Sequence, residues 1–201
     1  FQLNNNGNGA FYTSKIKRGK KTYKYYKYQD HVLTNKGQSN EKSFLDLSIL
    51  NNISPKINNI IKQILNSKGI SYVYSEYVDS GTLPIALALE QAGYERFTLH
   101  GENQLLDYSK NEKGGGGKSN PKCYLCGKEI TDKIHHPSNH SKDAHQFRVG
   151  KYIIIAGNII DNKNVVQEYI NILNSSNNKN GEIIKVIIGT RVTGEGVDLK
   201  G

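Results

Sequence analysis

The sequence predicts an α/β protein in which a parallel sheet carries helices on both faces and is interrupted by a small insert. Two observations predict the sheet. Short runs of β-branched apolar residues are typical of strands buried on both faces, and they alternate with stretches whose apolar residues recur at helical spacing. A third observation predicts the insert: a Cys-x-x-Cys-Gly motif followed by several histidines, which is typical of a zinc site.

The charge balance is basic, with 27 Lys and Arg against 18 Asp and Glu and a net charge of +9. A surplus of this size favours a polyanionic partner, most often nucleic acid. Abundant Lys, Asn, Ile and Tyr also fit AT-rich coding, so codon usage is an alternative source of the charge. The chain shows no apolar run of membrane-spanning length and no signal-peptide pattern, so we expect no membrane partner. We expect a reducing, cytoplasmic location, with the nucleus as the alternative.

Residues 1–53 are expected to form a basic arm and linker rich in Asn, Lys and Tyr. Residues 1–28 contain seven Lys and Arg and no acidic residue, and four of their tyrosines lie within 23–28. Basic residues interleaved with aromatics suit contact with phosphates and bases. A solvated Lys/Tyr hairpin is the alternative. Residues 29–54 are polar apart from a short apolar patch, and we expect them to connect the arm to the folded domain.

The folded domain is predicted to span residues 54–201. A helix should begin at Pro55, because Ser54 is a good N-cap and proline is favoured at the first helical position. A strand is predicted over 70–75, a second helix from Leu83 to Ala92 and a short strand over 96–99. Helix, strand, helix and strand at this spacing imply a parallel sheet with right-handed crossovers.

Residues 101–148 interrupt this pattern and form the predicted insert. Its first part contains a Gly-rich run that ends in Gly117, Lys118 and Ser119, which invites comparison with a phosphate-binding P-loop. A P-loop needs a glycine five residues before Gly117, and that position is Glu112. No strand precedes the run and no helix follows it. We therefore predict a flexible linker.

The second part of the insert contains the candidate metal ligands. Cys123 and Cys126 have the spacing that holds two tetrahedral positions on one ion. Four downstream histidines compete for the other two positions: His135, His136, His140 and His145. We favour His140 and His145, with His135 or His136 as substitutes. We expect a structural Zn²⁺, because nothing marks an open coordination position or a nearby general base.

Beyond the insert, a strand is predicted over 152–157, a helix over 162–173 and a final strand from residue 183. Because the alternation of strands and helices resumes here, we predict that the insert interrupts one domain. After the final strand comes Gly189-Thr190, then a loop in which Gly194 and Gly196 flank Glu195 and Asp198 follows. In open α/β sheets, ligands sit beyond the carboxyl ends of the strands.

This ending resembles motif V of superfamily 2 helicases, at the nucleotide edge of their second RecA-like domain. The resemblance extends back to about residue 54 and includes a motif IV-like strand, a helix ending in Ala-Gly-Tyr, the Cys-x-x-Cys-Gly insert and a His-x-Phe at His145 to Phe147. In this order the motifs are similar to those of the helicases of nucleocytoplasmic large DNA viruses. That group includes the poxvirus early transcription factor small subunit and nucleoside triphosphatase I.

The resemblance implies the second motor domain of a DNA- or RNA-dependent ATPase that couples ATP hydrolysis to translocation or unwinding in viral transcription. It implies ATP with Mg²⁺, shared with a first RecA-like domain, and a nucleic-acid track. It also implies a viral RNA polymerase as a partner, in the host cytoplasm or the virion. The implied nucleotide-binding residues are Gly194, Glu195, Gly196 and Asp198. The implied nucleic-acid-binding residues are Ser75, Glu76, Tyr77, Thr190 and Arg191.

Two parts of the family pattern are missing from the 201 residues. The arginine-finger motif should follow motif V, and the first RecA-like domain should supply the P-loop and the metal-binding Asp. We therefore expect no ATP hydrolysis by this chain alone. A non-catalytic, zinc-containing nucleic-acid-binding module is the alternative function, and a structural α/β domain with a charge set by codon usage is a third.

Overall fold

The computed structural model describes residues 11–18, 21–28, 33–34, 42–99, 104–107, 120–136, 145–156 and 163–191. The strands are β1 (Phe11–Arg18), β2 (Lys21–Tyr28), β3 (Leu33–Thr34), β4 (Lys42–Ser43), β5 (Ser71–Tyr74), β6 (Glu95–Arg96), β7 (Lys151–Ile155) and β8 (Val186–Gly189). The helices are α1 (Leu47–Ile53), α2 (Pro55–Asn66), α3 (Leu83–Gln91) and α4 (Lys163–Leu173). None of these helices combines the length and apolar character that crossing a bilayer requires.

A four-stranded parallel sheet organises the molecule, with strand order β5-β8-β7-β6. In its register, Tyr72 of β5 and Ile153 of β7 both pair with Ile187 of β8. β6 and β7 precede and follow the insert in the chain, yet they pair directly, with Glu95 opposite Lys151. The predicted parallel α/β sheet is thus confirmed, and it is consistent with a RecA-like fold.

The central strands β7 and β8 are buried on both faces of the sheet, toward which successive side chains of a strand point in turn. Ile154 and Ile188 belong to a large core shared with α2 and α3. Ile153, Ile155 and Ile187 belong to a second core shared with α4. Helices on both faces explain why these strands are continuous apolar runs.

The start of α2 follows the predicted chemistry. The hydroxyl of Ser54 accepts a hydrogen bond from the amide of Ile57, and Pro55 opens α2. A single π-helical turn, Val78–Thr82, precedes α3. The short strand β6 lies earlier than the predicted 96–99, because its pairing with β7 begins at Glu95.

The N-terminal hairpin packs onto the core. β1 and β2 pair along their full length, and Phe11, Tyr26 and Tyr28 are buried in the same core as α3. Tyr25 is buried as well. A role for Tyr25, Tyr26 and Tyr28 in stacking against bases is therefore wrong, because their rings are occupied inside the protein.

The segment predicted as a connection before residue 54 is also folded. Asp46 caps α1 by accepting a hydrogen bond from the amide of Ser48 at 2.9 Å. Leu45 and Leu50 are completely buried. The interpretation of this segment as a bare connection is wrong, because it contains a helix and contributes three buried apolar side chains to the core, Phe44 among them.

Glu90 fastens the beginning of the insert to the core. Its carboxylate accepts hydrogen bonds from the amides of Leu105 and Leu106, at 2.8 and 2.7 Å, and from the hydroxyl of Tyr152 at 2.6 Å. Tyr26 of the hairpin bonds the same segment through its backbone amide, which donates to the carbonyl of Leu105. One buried carboxylate thus joins α3, β7 and the segment 104–107.

Candidate functional site

Four side chains of the insert converge on one point. The ligand atoms of Cys123, Cys126, His136 and His145 all lie within 4.8 Å of one another. The sulfur of Cys123 is 3.1 Å from Nε2 of His145, and the sulfur of Cys126 is 3.3 Å from Nε2 of His136. A tetrahedral Zn²⁺ with two sulfur and two nitrogen ligands separates its ligand atoms by about 3.3–3.8 Å. The cluster therefore has the composition and size for a zinc ion.

The two cysteines are placed by a tight turn. The amide of Gly127 donates to the carbonyl of Cys123 at 3.0 Å, and the amide of Cys123 donates to the carbonyl of Lys128 at 2.8 Å. Gly127 adopts a positive φ of 67°, which glycine tolerates without strain. This is why the Cys-x-x-Cys motif is followed by Gly.

The histidines are oriented by their neighbours. Nδ1 of His136 lies 3.1 Å from the carbonyl oxygen of Glu129, which can only accept, so Nε2 is left free for a metal. The ring of Phe147 packs edge-on against His136 at 5.2 Å. Burial, followed by the nearby His136, lowers the pKa of His145 and favours the neutral imidazole that binds metals.

The thiols form the other half of the site. Cys123 is completely buried and Cys126 is partly buried. Burial raises the pKa of the Cys126 thiol, with a further contribution from Cys123, while the backbone amide of Lys128 opposes the shift. A bound cation would favour the thiolate forms of both residues.

The described cluster contains one histidine of the favoured pair and one predicted substitute. The structure brings His145 to the cysteines, as expected, together with His136, which was predicted as a substitute. His140 lies outside the described residues. His135 points elsewhere, since its Nδ1 lies 3.1 Å from the carboxylate of Asp132. The backbone contact with Glu129, which selects His136 over His135, depends on the loop fold and has no sequence signal.

The cluster lies at the edge of the sheet where the strands begin. The amide of Lys122 donates to the carbonyl of Gly93, just before β6, and the amide of Gly150 donates to the carbonyl of Lys122, just before β7. Gly127 lies against Leu65 near the end of α2, ahead of β5. The Cys/His cluster is therefore anchored to the edge of the sheet where the strands begin.

Sequence reasoning missed Lys185, which lies at this same edge. Its side chain is completely buried, and its ammonium donates to the carbonyl of Ser67 at 2.8 Å and to that of Gly69. Burial lowers its pKa to about 8, against the opposing charges of Cys123 and Glu182. These two hydrogen bonds attach the turn that connects α2 with β5 to the start of β8. A lysine within an apolar strand run is the signal that could have identified it.

The predicted nucleic-acid-binding residues gather at the opposite edge, where strands end. The amide of Ser75 donates to the carbonyl of Gly189 at 3.0 Å, which places Ser75 beside Thr190. Glu76, Tyr77 and Arg191 are exposed at this edge.

The side chain of Ser75 packs closely against its neighbours at this edge. The hydroxyl of Ser75 donates to the carbonyl of Tyr77 at 3.0 Å. A Cβ on Gly81 would lie 1.8 Å from that hydroxyl, so any side chain there would displace the side chain of Ser75. The predicted nucleotide-binding residues lie outside the described residues: Gly194, Glu195, Gly196 and Asp198.

The chain is similar to two kinds of viral protein. It is 27% identical over 150 residues to a protein of Acanthamoeba polyphaga mimivirus described provisionally as an ATP-dependent RNA helicase, covering 72% of this chain and 12% of that protein. It is 27% identical over 161 residues to the termination factor NPH-I homolog of an African swine fever virus isolate, covering 74% of this chain and 19% of that protein.

The chain therefore spans between 12% and 19% of the length of these curated relatives. No family model and no solved structure matches it. The predicted similarity to helicases of large DNA viruses is confirmed by these relatives.

Proposed function

We propose that this chain is the second motor domain of a DNA- or RNA-dependent ATPase, coupling ATP hydrolysis to translocation or unwinding in viral transcription. The observation that carries the proposal is the strand-end edge, where Ser75 and Thr190 lie side by side on a parallel α/β sheet. This is the edge at which open α/β sheets bind ligands. The similarity to an ATP-dependent RNA helicase and to NPH-I homologs supports the same assignment.

In this proposal, the strand-end edge binds two ligands. Ser75, Glu76, Tyr77, Thr190 and Arg191 contact the nucleic-acid backbone. The loop containing Gly194 to Gly196 and Asp198 contacts ATP with Mg²⁺, which a first motor domain holds from the other side. Phosphoryl transfer needs the P-loop and metal-binding groups of that first domain, so this domain orients the nucleotide and does not hydrolyse it alone.

The metal cluster has a structural role in this proposal. Cys123, Cys126, His136 and His145 would hold a Zn²⁺ ion with four protein ligands, which leaves no position for a substrate. The cluster lies at the edge of the sheet away from the proposed ligands. The ion would fix the insert against the starts of β6 and β7.

Binding of a fluorescent single-stranded RNA or DNA, measured at several salt concentrations, tests the nucleic-acid part. We expect Arg191→Ala to weaken binding and to reduce the slope of log affinity against log salt by about 0.7, as expected for one lost phosphate contact. Lys179→Ala removes an exposed positive charge near the opposite edge and is the matched control. Equal slopes for both variants would contradict the proposed edge.

The nucleotide part requires a protein that also carries a first motor domain. There we expect Asp198→Ala to raise the KM for ATP, and Arg191→Ala to reduce stimulation of the ATPase by nucleic acid. Nucleic-acid binding by this edge without any ATPase in such a protein would favour the alternative function, a non-catalytic zinc-containing nucleic-acid-binding module.

A further inference from the structure

We propose that the loop between Cys126 and His136 is a protein-docking surface whose partner is an acidic protein segment carrying apolar side chains. The surface, called here the metal-loop surface, consists of Lys128, Ile130, Lys133 and Ile134. It lies outside the strand-end edge and does not depend on the motor proposal.

The apolar part of the surface is two isoleucines. Ile134 is 85% exposed and Ile130 is 53% exposed, and no large hydrophobic residue in the described ranges is more exposed than Ile134. A single exposed aliphatic side chain is ordinary. Two of them in one short loop, one almost fully exposed and one about half exposed, provide the apolar centre that protein interfaces use.

The loop that presents these isoleucines is held at both ends. The sulfur of Cys126 lies 3.3 Å from Nε2 of His136, which closes the loop even before a metal is considered. Within the loop, the carboxylate of Asp132 accepts hydrogen bonds from the amides of Ile134 and His135, at 3.1 and 3.3 Å. A loop ordered before binding loses less conformational freedom when a partner docks.

The charge that the surface presents is positive. Glu129 forms an ion pair with Lys122 at 2.8 Å, and Asp132 accepts hydrogen bonds from the loop backbone, so the lysines at 122, 128 and 133 outnumber these two carboxylates by one. Lys128 and Lys133 are exposed, and neither forms an ion pair among the described residues. Charge complementarity therefore favours an acidic partner.

The exposed isoleucines favour a protein over a nucleic acid as the partner of this surface. An aliphatic side chain neither stacks on bases as aromatic residues do nor donates hydrogen bonds to phosphates. Lysines alone would suit nucleic acid, but exposed isoleucines beside lysines suit a segment with both acidic and apolar side chains. Since the surface lies on the insert at the edge where strands begin, a protein can dock there while nucleic acid occupies the other edge.

The test uses the whole zinc-loaded chain and a synthetic peptide as the probe. The peptide is helical and fluorescent, with Leu at i and i+4 positions on one face and Glu elsewhere, and its binding is followed by anisotropy. We expect the double variant Ile130→Ser with Ile134→Ser to bind about tenfold more weakly, as expected for loss of central apolar contacts. Ile53→Ser is the matched control, because Ile53 is an exposed isoleucine on α1.

A charge exchange gives a second, independent measurement. Lys128→Glu with Lys133→Glu should weaken binding of the acidic peptide and strengthen binding of the same peptide with Lys in place of Glu. Zinc content and thermal melting verify that each variant is folded. If the double serine variant does not fold, Ile134→Ser alone serves, because its side chain makes few contacts.

Four results would overturn the proposal. The first is equal peptide binding by the wild type and the folded serine variant. The second is equal binding of a scrambled peptide of the same composition. The third is Ile134-dependent binding of a single-stranded oligonucleotide with none to the peptide, which would make the surface a nucleic-acid site. The fourth is self-association that the serine variant abolishes, which would make a second copy of the chain the partner.

Discussion

Gly127, in the turn that carries the two cysteines, lies directly against the backbone of Leu65 near the end of α2. A Cβ on Gly127 would be 2.1 Å from the carbonyl oxygen of Leu65. This contact leaves no space for a side chain. The metal cluster and α2 therefore share one interface, and a change in the turn should reach the main domain.

We predict that Gly127→Ala destabilises the protein and weakens zinc binding. The positive φ alone costs an ordinary residue about 1–2 kcal/mol, and the overlap with Leu65 adds to it. Urea unfolding with zinc present measures the loss. Gly69→Ala is the control, because no atom lies within 4 Å of its added Cβ. Equal stability of the two variants would contradict the shared interface.

We predict that His136 binds the metal and that His140 does not. Wild-type protein should contain one zinc ion per chain, and His136→Ala should lower zinc affinity by at least about tenfold in competition with a chromogenic chelator. His135→Ala is the neighbouring control, because its ring lies beside Asp132. Loss of affinity in His140→Ala with none in His136→Ala would instead favour the ligand pair expected from the sequence.

We predict that Lys185 makes stability rise with pH. The pKa of Lys185 is lowered from 10.5 to about 8 by burial, so between these values the unfolded chain binds more protons than the folded one. The contribution to the free energy of unfolding should therefore rise between pH 8 and pH 10.5, by about 3 kcal/mol at most. It is lost as pH falls through 8.

The measurement is the difference in free energy of unfolding between wild type and Lys185→Met at pH 7 to 10. The free energy of unfolding of wild type minus that of Lys185→Met should increase with pH. Burial raises the pKa of Tyr26 to about 12, which lowers the stability of both proteins above pH 10, and taking the difference removes this shared contribution. Lys68→Met, an exposed lysine on the adjoining turn, is the control. A difference that does not change with pH would contradict the prediction.

We predict that Glu90→Gln destabilises the protein by about 1–3 kcal/mol. Both carboxylate oxygens of Glu90 accept hydrogen bonds from backbone N–H groups. The side-chain NH₂ of glutamine would face one of these donors and could not accept its hydrogen bond. Glu168→Gln on exposed α4 provides the comparison and should be nearly neutral. Thermal or urea unfolding measures both variants, and a neutral Glu90→Gln would show that the segment 104–107 is not held by this carboxylate.

Local signals were enough to predict the central part of the fold. Ser54 and Pro55 start α2 because the cap and the fixed φ of proline act within one turn. The runs in β7 and β8 are apolar throughout because helices cover both faces, which makes them recognisable as parallel strands. The two-residue spacing of Cys123 and Cys126 likewise predicts that their sulfurs lie close together.

Long-range packing was not predictable in the same way. The tyrosines of β2 resemble a solvated or nucleic-acid-binding stretch until Phe11 and Phe44 pack beside Tyr28 and bury it. The orientation of His136 depends on the backbone carbonyl of Glu129. Every residue has such a carbonyl, so no residue type marks it in the sequence. These features depend on which distant residues meet, and residue type along the chain does not encode them locally.

The strand order has a consequence for synthesis on the ribosome. β8 follows β5 and β7 in the chain but lies between them in the sheet. Until β8 emerges, β5 and β7 have no partner in common, and each exposes an unpaired apolar edge. The sheet is therefore completed only when β8, the last of the described strands to be synthesised, inserts between β5 and β7. We expect the interval between synthesis of β5 and of β8 to be the period in which the chain is most prone to aggregate.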